Sequence, residues 1–141
     1  MRDEPLHIAP LDASVVGHFW GAAAPLIAAA LPYARGRWTL ESLKADLDSG
    51  EKRLWVVFRD REMVSAYVTV NTDFPEMRVC TILACGGTDA DSWVAPVLQG
   101  VETAAIAEGC AQVEIIGRPG WHRKCPDYEL AGTWLVKEMS R

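Results

Sequence analysis

Two short stretches of this 141-residue chain bring together residue types that can do chemistry. The first is Cys85-Gly86-Gly87-Thr88-Asp89-Ala90-Asp91-Ser92, a glycine pair between an apolar run and an amphipathic one. Glycines at such a junction let backbone N–H groups close on an anion at a helix start, so Gly86 and Gly87 are candidates for holding a phosphate. Asp89 and Asp91 oppose that reading: like charges beside a phosphate lower its affinity unless they turn away or pair. The second stretch begins at Gly117. There Arg118, His122, Arg123 and Lys124 form a compact basic patch beside Trp121, in a chain of net charge −5. Arg118-Pro119-Gly120-Trp121 fits a type II turn, with Pro second and Gly third. A tryptophan on a rigid turn suits recognition, so Arg118, Trp121, His122, Arg123 and Lys124 are a candidate contact surface for an anion or an acidic protein partner.

Other chemistries find less support. Cys80, Cys85, Cys110 and Cys125 have no C-x-x-C spacing, and neither His7 nor His18 has a ligand spacing, so no metal site is expected. The cysteines read as buried thiols in a reducing compartment. Ser14, Ser65 and Ser92 lack the G-x-S-x-G context of a hydrolase. Glu102 and Glu114 are bases only if the fold puts them in a pocket.

The elements that must position these residues follow from periodicity and punctuation. Leu6 to Ala9 reads as a first strand. Asp12 or Ser14 caps a helix through Val15, Val16, Phe19 and Trp20, with a break or kink expected near Gly21 and Pro25. Thr39 caps a second helix with Leu40, Leu43 and Leu47 on one face, closed by Gly50. Leu54 to Phe58, Val64 to Val70 and Met77 to Ala84 read as an antiparallel meander, the first buried on both faces. The dense cap residues from Thr88 to Ser92 open a helix whose buried stripe is Val94, Val97, Leu98, Val101 and Ala105, with Pro96 placed in the first turn. Gly109 ends it. Gln112 to Ile116 and Thr133 to Val136 read as the last two strands. Trp55 and Trp134 look like strand core, whereas Trp38 and Trp121 flank loops. The result is one α+β domain, residues 1–141: a mixed, mostly antiparallel sheet flanked by helices.

Composition narrows the partners. The acidic balance argues against nucleic acid and against anionic lipid. Gly21 to Leu31 is short, Ala-rich and interrupted by Pro25, so neither a membrane span nor a signal peptide is expected.

The order of elements resembles the GNAT (N-acetyltransferase) fold. The run Ile82-Leu83-Ala84-Cys85-Gly86-Gly87, the Trp93-led helix and Gly117-Arg118-Pro119-Gly120-Trp121 resemble small phage-encoded proteins of this fold, described as acetyltransferase-like or virion-associated. The resemblance implies that the Cys85 to Ser92 loop stands where relatives hold the pyrophosphate of acetyl-CoA. It also implies that Tyr128 stands where a tyrosine protonates the departing thiolate. The Gln/Arg-x-x-Gly-x-Gly/Ala spacing of that loop is absent here. The first expectation is therefore a non-catalytic protein without cofactor, bound to protein partners such as other virion components, in the host cytoplasm or the virion. The alternative is an acyl-CoA-dependent N-acetyltransferase with a diverged loop, using acetyl-CoA. A homo-oligomer stays open in either case.

Overall fold

A computed structural model describes residues 5–117 and 120–140. Five strands form one sheet in chain order: β1 (Leu6–Pro10), β2 (Arg53–Arg59), β3 (Glu62–Asp73), β4 (Arg78–Gly87) and β5 (Cys110–Ile115). The first three pairings are antiparallel and β4–β5 is parallel. A parallel neighbour needs a crossover, supplied by helix α3 (Ala90–Ala107). Helices α1 (Val16–Ala30) and α2 (Leu40–Ser49) cover the other face.

Alternation along the strands divides the core in two. Leu54, Val56, Ala66 and Val68 meet Ile27 of α1 with Leu43 and Leu47 of α2. Trp55, Val57, Tyr67 and Ile82 meet the α3 stripe of Val94, Val97, Leu98, Val101 and Ala105. The continuous apolar run of β2 is thus buried on both faces, as its composition predicts. Trp55 stacks on Tyr67 at 5.6 Å and donates its indole N–H to Thr69, 3.0 Å away.

Local signals set several boundaries. The Thr39 hydroxyl accepts from the Ser42 N–H at 3.0 Å and the Ser42 hydroxyl accepts from the Thr39 N–H at 2.9 Å, a reciprocal cap for α2. Gly50 closes that helix in the left-handed region, φ 83°. Asp12 caps a single 3-10 turn, Ala13–Val15, that leads into α1.

Four expectations fail. First, of the expected break or kink, the break is absent: α1 runs through Gly21 and Pro25 as one helix. Pro25 is exposed, so the carbonyl it cannot satisfy lies on the solvent side, and packing on the sheet outweighs the lost bond. Residues Ala13–Ala34 consequently form one helical stretch of 22 residues, long and apolar enough to cross a membrane by length and composition; in this fold it lies on β3 and β4. Second, Pro96 sits beyond the first turn of α3, again on the exposed side. Third, no side chain caps α3: Asp89 is the N-cap in the left-handed region, φ 59°, and its carboxylate is engaged elsewhere. Fourth, Thr133 to Val136 is not a strand, and Trp134 is 48% exposed rather than core. Strand-forming residues make a strand only where an edge accepts their N–H and C=O groups, and this segment pairs with none. The expected type II turn falls on residues outside those described.

Candidate active site

The sheet opens where β4 and β5 part. Their last paired residues are Ile82 and Ile115, followed by one hydrogen bond from the Ile116 N–H to the Ile82 carbonyl at 3.0 Å. Strand β4 continues to Gly87 with only β3 beside it. On that side the register slips between Val68 and Thr69, which pair with Ala84 and Ile82 and skip Leu83. Such a bulge takes backbone polar groups out of the ladder. A cleft of about 480 Å³ occupies the gap, walled by Leu83 to Gly87, the first turn of α3, Ile115 to Gly117 and the end of the α1 region at Tyr33. A short helix, α4 (Trp121–Lys124), forms its outer wall.

The two stretches that stood apart in the sequence meet here. Gly86 and Gly87 line one wall; Trp121, Arg123 and Lys124 line the other. Arg123 and Lys124 of the basic patch thus line the cleft, and their side chains, with that of His122, are also exposed. Trp121 is half-buried, tilted against buried Trp93 with centroids 6.5 Å apart. It lies over Gly117, where a Cβ would come within 2.8 Å of the indole.

Both acidic residues of the loop are paired. Asp91 accepts from the Lys124 ammonium at 2.6 Å. Asp89 accepts from the guanidinium of Arg59 at 3.4 Å. Arg59, at the end of β2, is 7% exposed, whereas the Asp89 side chain is 64% exposed, so water screens the pair from the Asp89 side. The glycines have structural roles as well. A Cβ on Gly86 would stand 1.9 Å from the Leu26 carbonyl oxygen, so α1 can lie on β4 only because residue 86 has none. A Cβ on Gly87 would meet the Val64 carbonyl oxygen at 2.3 Å.

Tyr128 lies one hollow away. Its O–H donates to Glu102 of α3 at 2.8 Å, and burial together with that carboxylate holds its phenol far above the ordinary value, so it stays protonated. This second hollow, about 950 Å³, shares Ile115, Gly117, Gly120 and Trp121 with the cleft and also takes in His122 and Glu114. Glu114 accepts from the Thr81 hydroxyl at 2.7 Å. Arg118 lies outside the described residues. Three residues that sequence reasoning did not single out join the cleft or its support: Tyr33, Cys85 as a lining residue, and Arg59. Arg59 sits thirty positions before its partner in a turn of mixed charges, with no local mark of importance. None of the four cysteines forms a disulfide; burial pushes Cys80 up to about 11 and raises Cys125 also, so both stay neutral. Among the described residues no group of three or more His, Cys, Asp or Glu is placed to hold a metal.

No protein-family model matches the chain, and no curated protein does. Solved structures do. An aminoglycoside acetyltransferase from an uncultured soil metagenomic sample superposes with a TM-score of 0.68 at 12% identity, covering 96% of this chain and 97% of its own. The ribosomal-protein-alanine N-acetyltransferase of Brucella melitensis gives 0.63 at 16% identity, covering 97% and 99%. An aminoglycoside N-acetyltransferase solved in complex with CoA gives 0.67 at 11% identity, covering 99% and 98%. A transcriptional regulator from Bacillus halodurans gives 0.66 at 12% identity, covering 96% of this chain and all of its own. The chain has the GNAT acetyltransferase fold: a curled, mixed five-stranded sheet flanked by helices.

Proposed function

We propose that this protein is an acyl-CoA-dependent N-acyltransferase, with acetyl-CoA as donor. One observation carries the reading: Asp89 and Asp91, the groups that would repel a diphosphate, are each paired with a cation, Arg59 and Lys124. The objection to an anion at the start of α3 loses its force, and Arg123 on the facing wall adds a positive charge with no ion pair among the described residues. Acyl-CoA, when bound, supplies the acyl group as a thioester. The residues that would hold it are the backbone of Gly87 to Asp91 for the diphosphate, with Arg123 and Lys124 beside it, and the bulge at Leu83 for the polar part of the donor near the reacting end. Trp93 and Trp121 supply an apolar wall that keeps water from the thioester. Tyr128, in the adjoining hollow, is protonated at neutral pH, and its O–H would turn from Glu102 to reach a leaving thiolate. The fold likeness to acetyltransferases, one of them solved with CoA, agrees with this reading. The non-catalytic, virion-associated reading draws on the sequence resemblance, the missing loop spacing and the acidic residues of the loop.

The test is calorimetric titration with acetyl-CoA. Micromolar binding is expected, weakened at least roughly tenfold, or about 1.4 kcal/mol, by the double variant Arg123→Glu, Lys124→Glu. These side chains are exposed, so the variant leaves the fold intact. Absence of binding at millimolar acetyl-CoA overturns the proposal and returns the chain to a protein-binding role.

A further inference from the structure

The start of helix α3 departs from what its own residue types favour. Aspartate is among the best N-cap residues, because its carboxylate accepts from N–H groups of the first helical turn. Asp89 occupies that position and caps nothing. Its backbone lies in the left-handed region, φ 59°, and its carboxylate reaches back to the Arg59 guanidinium. The cause lies with Arg59. By alternation from Trp55 and Val57, Arg59 sits on the α3 face of the sheet. It is buried, and its Nε has no hydrogen-bond partner among the described residues. A buried guanidinium is costly without a counter-charge, whereas an exposed carboxylate is well solvated, so the pair answers the need of Arg59. The result is a carboxylate held off its own helix. The Ser92 N–H goes to the Asp89 carbonyl at 3.0 Å. The N–H groups of Ala90 and Asp91 are left without a side-chain cap, and both residues line the cleft, which Asp89 does not.

We infer, on the reading of the cleft as an acyl-CoA site, that Arg59 is a positioning residue. It holds the Asp89 carboxylate off the first turn of α3 and so keeps the Ala90 and Asp91 N–H groups open to a diphosphate. Without Arg59, the left-handed backbone of Asp89 loses the pair that holds it. The residue then returns to the extended conformation of an ordinary N-cap. Asp12 shows that conformation in this same chain: at φ −62° and ψ 145° its carboxylate accepts from the Ser14 N–H. In that state Asp89 takes up the amides that the anion needs and sets a negative charge beside them. The helix start thus carries its own competitor for the anion, and Arg59 keeps that competitor away. Arg59 is not a wall of the cleft, so it acts through Asp89.

Amide hydrogen exchange, read by NMR, and calorimetric titration with acetyl-CoA test this on the full chain. Arg59→Met keeps the apolar stem of the side chain and removes the charge. In that variant the Ala90 and Asp91 amides are expected to exchange several-fold more slowly, because Asp89 caps them. Acetyl-CoA binding is expected to weaken at least roughly tenfold. Adding Asp89→Gly, which accepts a positive φ and carries no carboxylate, is expected to return both readings towards the wild type. A residue that only supported the fold would not be rescued by loss of its partner. Far-UV circular dichroism checks folding, and Arg59→Gln takes the place of Arg59→Met if the latter does not fold. Unchanged exchange at Ala90 and Asp91, or weakened binding that Asp89→Gly does not restore, overturns the inference. Absence of binding to the wild type overturns the acyl-CoA reading instead, and the exchange rates then decide the role of Arg59 by themselves.

Discussion

At the scale of single residues, the glycines separate by what surrounds them. Gly86 faces the backbone of α1, which cannot yield like a side chain, so Gly86→Ala is expected to cost about 3 kcal/mol in urea unfolding. Gly21 lies on the open side of α1 with nothing within 4 Å of an added Cβ, so Gly21→Ala is expected to stabilise by about 0.5–1 kcal/mol. Equal effects would mean that α1 does not pack on β4 as described. The packing role of each glycine is not written in the sequence; only the neighbour that approaches it sets the cost of a Cβ. Tyr128 is the residue whose chemistry is open to the sharpest kinetic test. Tyr128→Phe is expected to lower kcat by on the order of 10²-fold at unchanged KM for acetyl-CoA. An unchanged kcat would leave Tyr128 the simpler task of tying the C-terminal segment to Glu102.

At the scale of elements, the ends of β2, β3 and β4 are tied to the end of α3 by charges. Glu108 pairs with Arg53 at 2.7 Å and accepts from Asn71 at 2.8 Å, while Arg78 pairs with Asp73 at 2.7 Å and donates to the Glu108 carbonyl. The Arg53 guanidinium pulls the Glu108 carboxyl below its usual value, and Arg78 does the same for Asp73. Folded values lie below unfolded ones, so this stabilisation is fully present above the ordinary carboxylate range and fades as pH falls through the folded values. The melting temperature is therefore expected to hold from pH 7 to about 5 and to fall below about 4, less steeply in Glu108→Gln. Helix α4 is fastened to α3 by the exposed Lys124–Asp91 pair and the Trp121–Trp93 contact. A surface pair of this kind is worth at most about 1 kcal/mol. Acetyl-CoA is expected to change tryptophan fluorescence, and Trp121→Phe to remove most of that change. Most of these elements were legible in the chain: caps at Thr39 and Gly50 and the α3 stripe mark themselves locally. The continuity of α1 across Pro25 was not, because tertiary packing outweighed a local breaker.

At the scale of the whole molecule, the order of strands and helices was readable as far as β5, and the GNAT resemblance rested on that order. The candidate site was readable only as two disconnected pieces, the Gly86-Gly87 loop and the patch from Arg118 to Lys124. By itself, the sequence determined which segments from β2 to β5 are strand or helix and which face of each is apolar, because those depend on spacing within a few residues. It also determined that a glycine pair precedes α3 and that cations follow β5. The tertiary structure decided that these two pieces form one cleft, since β4 and β5 run parallel and part after Ile82 and Ile115. It decided that Asp89 and Asp91 are paired with cations, since Arg59 and Lys124 come from thirty or more positions away. It decided against a strand at residues 133–136, because a strand needs an edge as well as a composition. Each of these depends on which distant backbone comes alongside, and no local pattern carries that information.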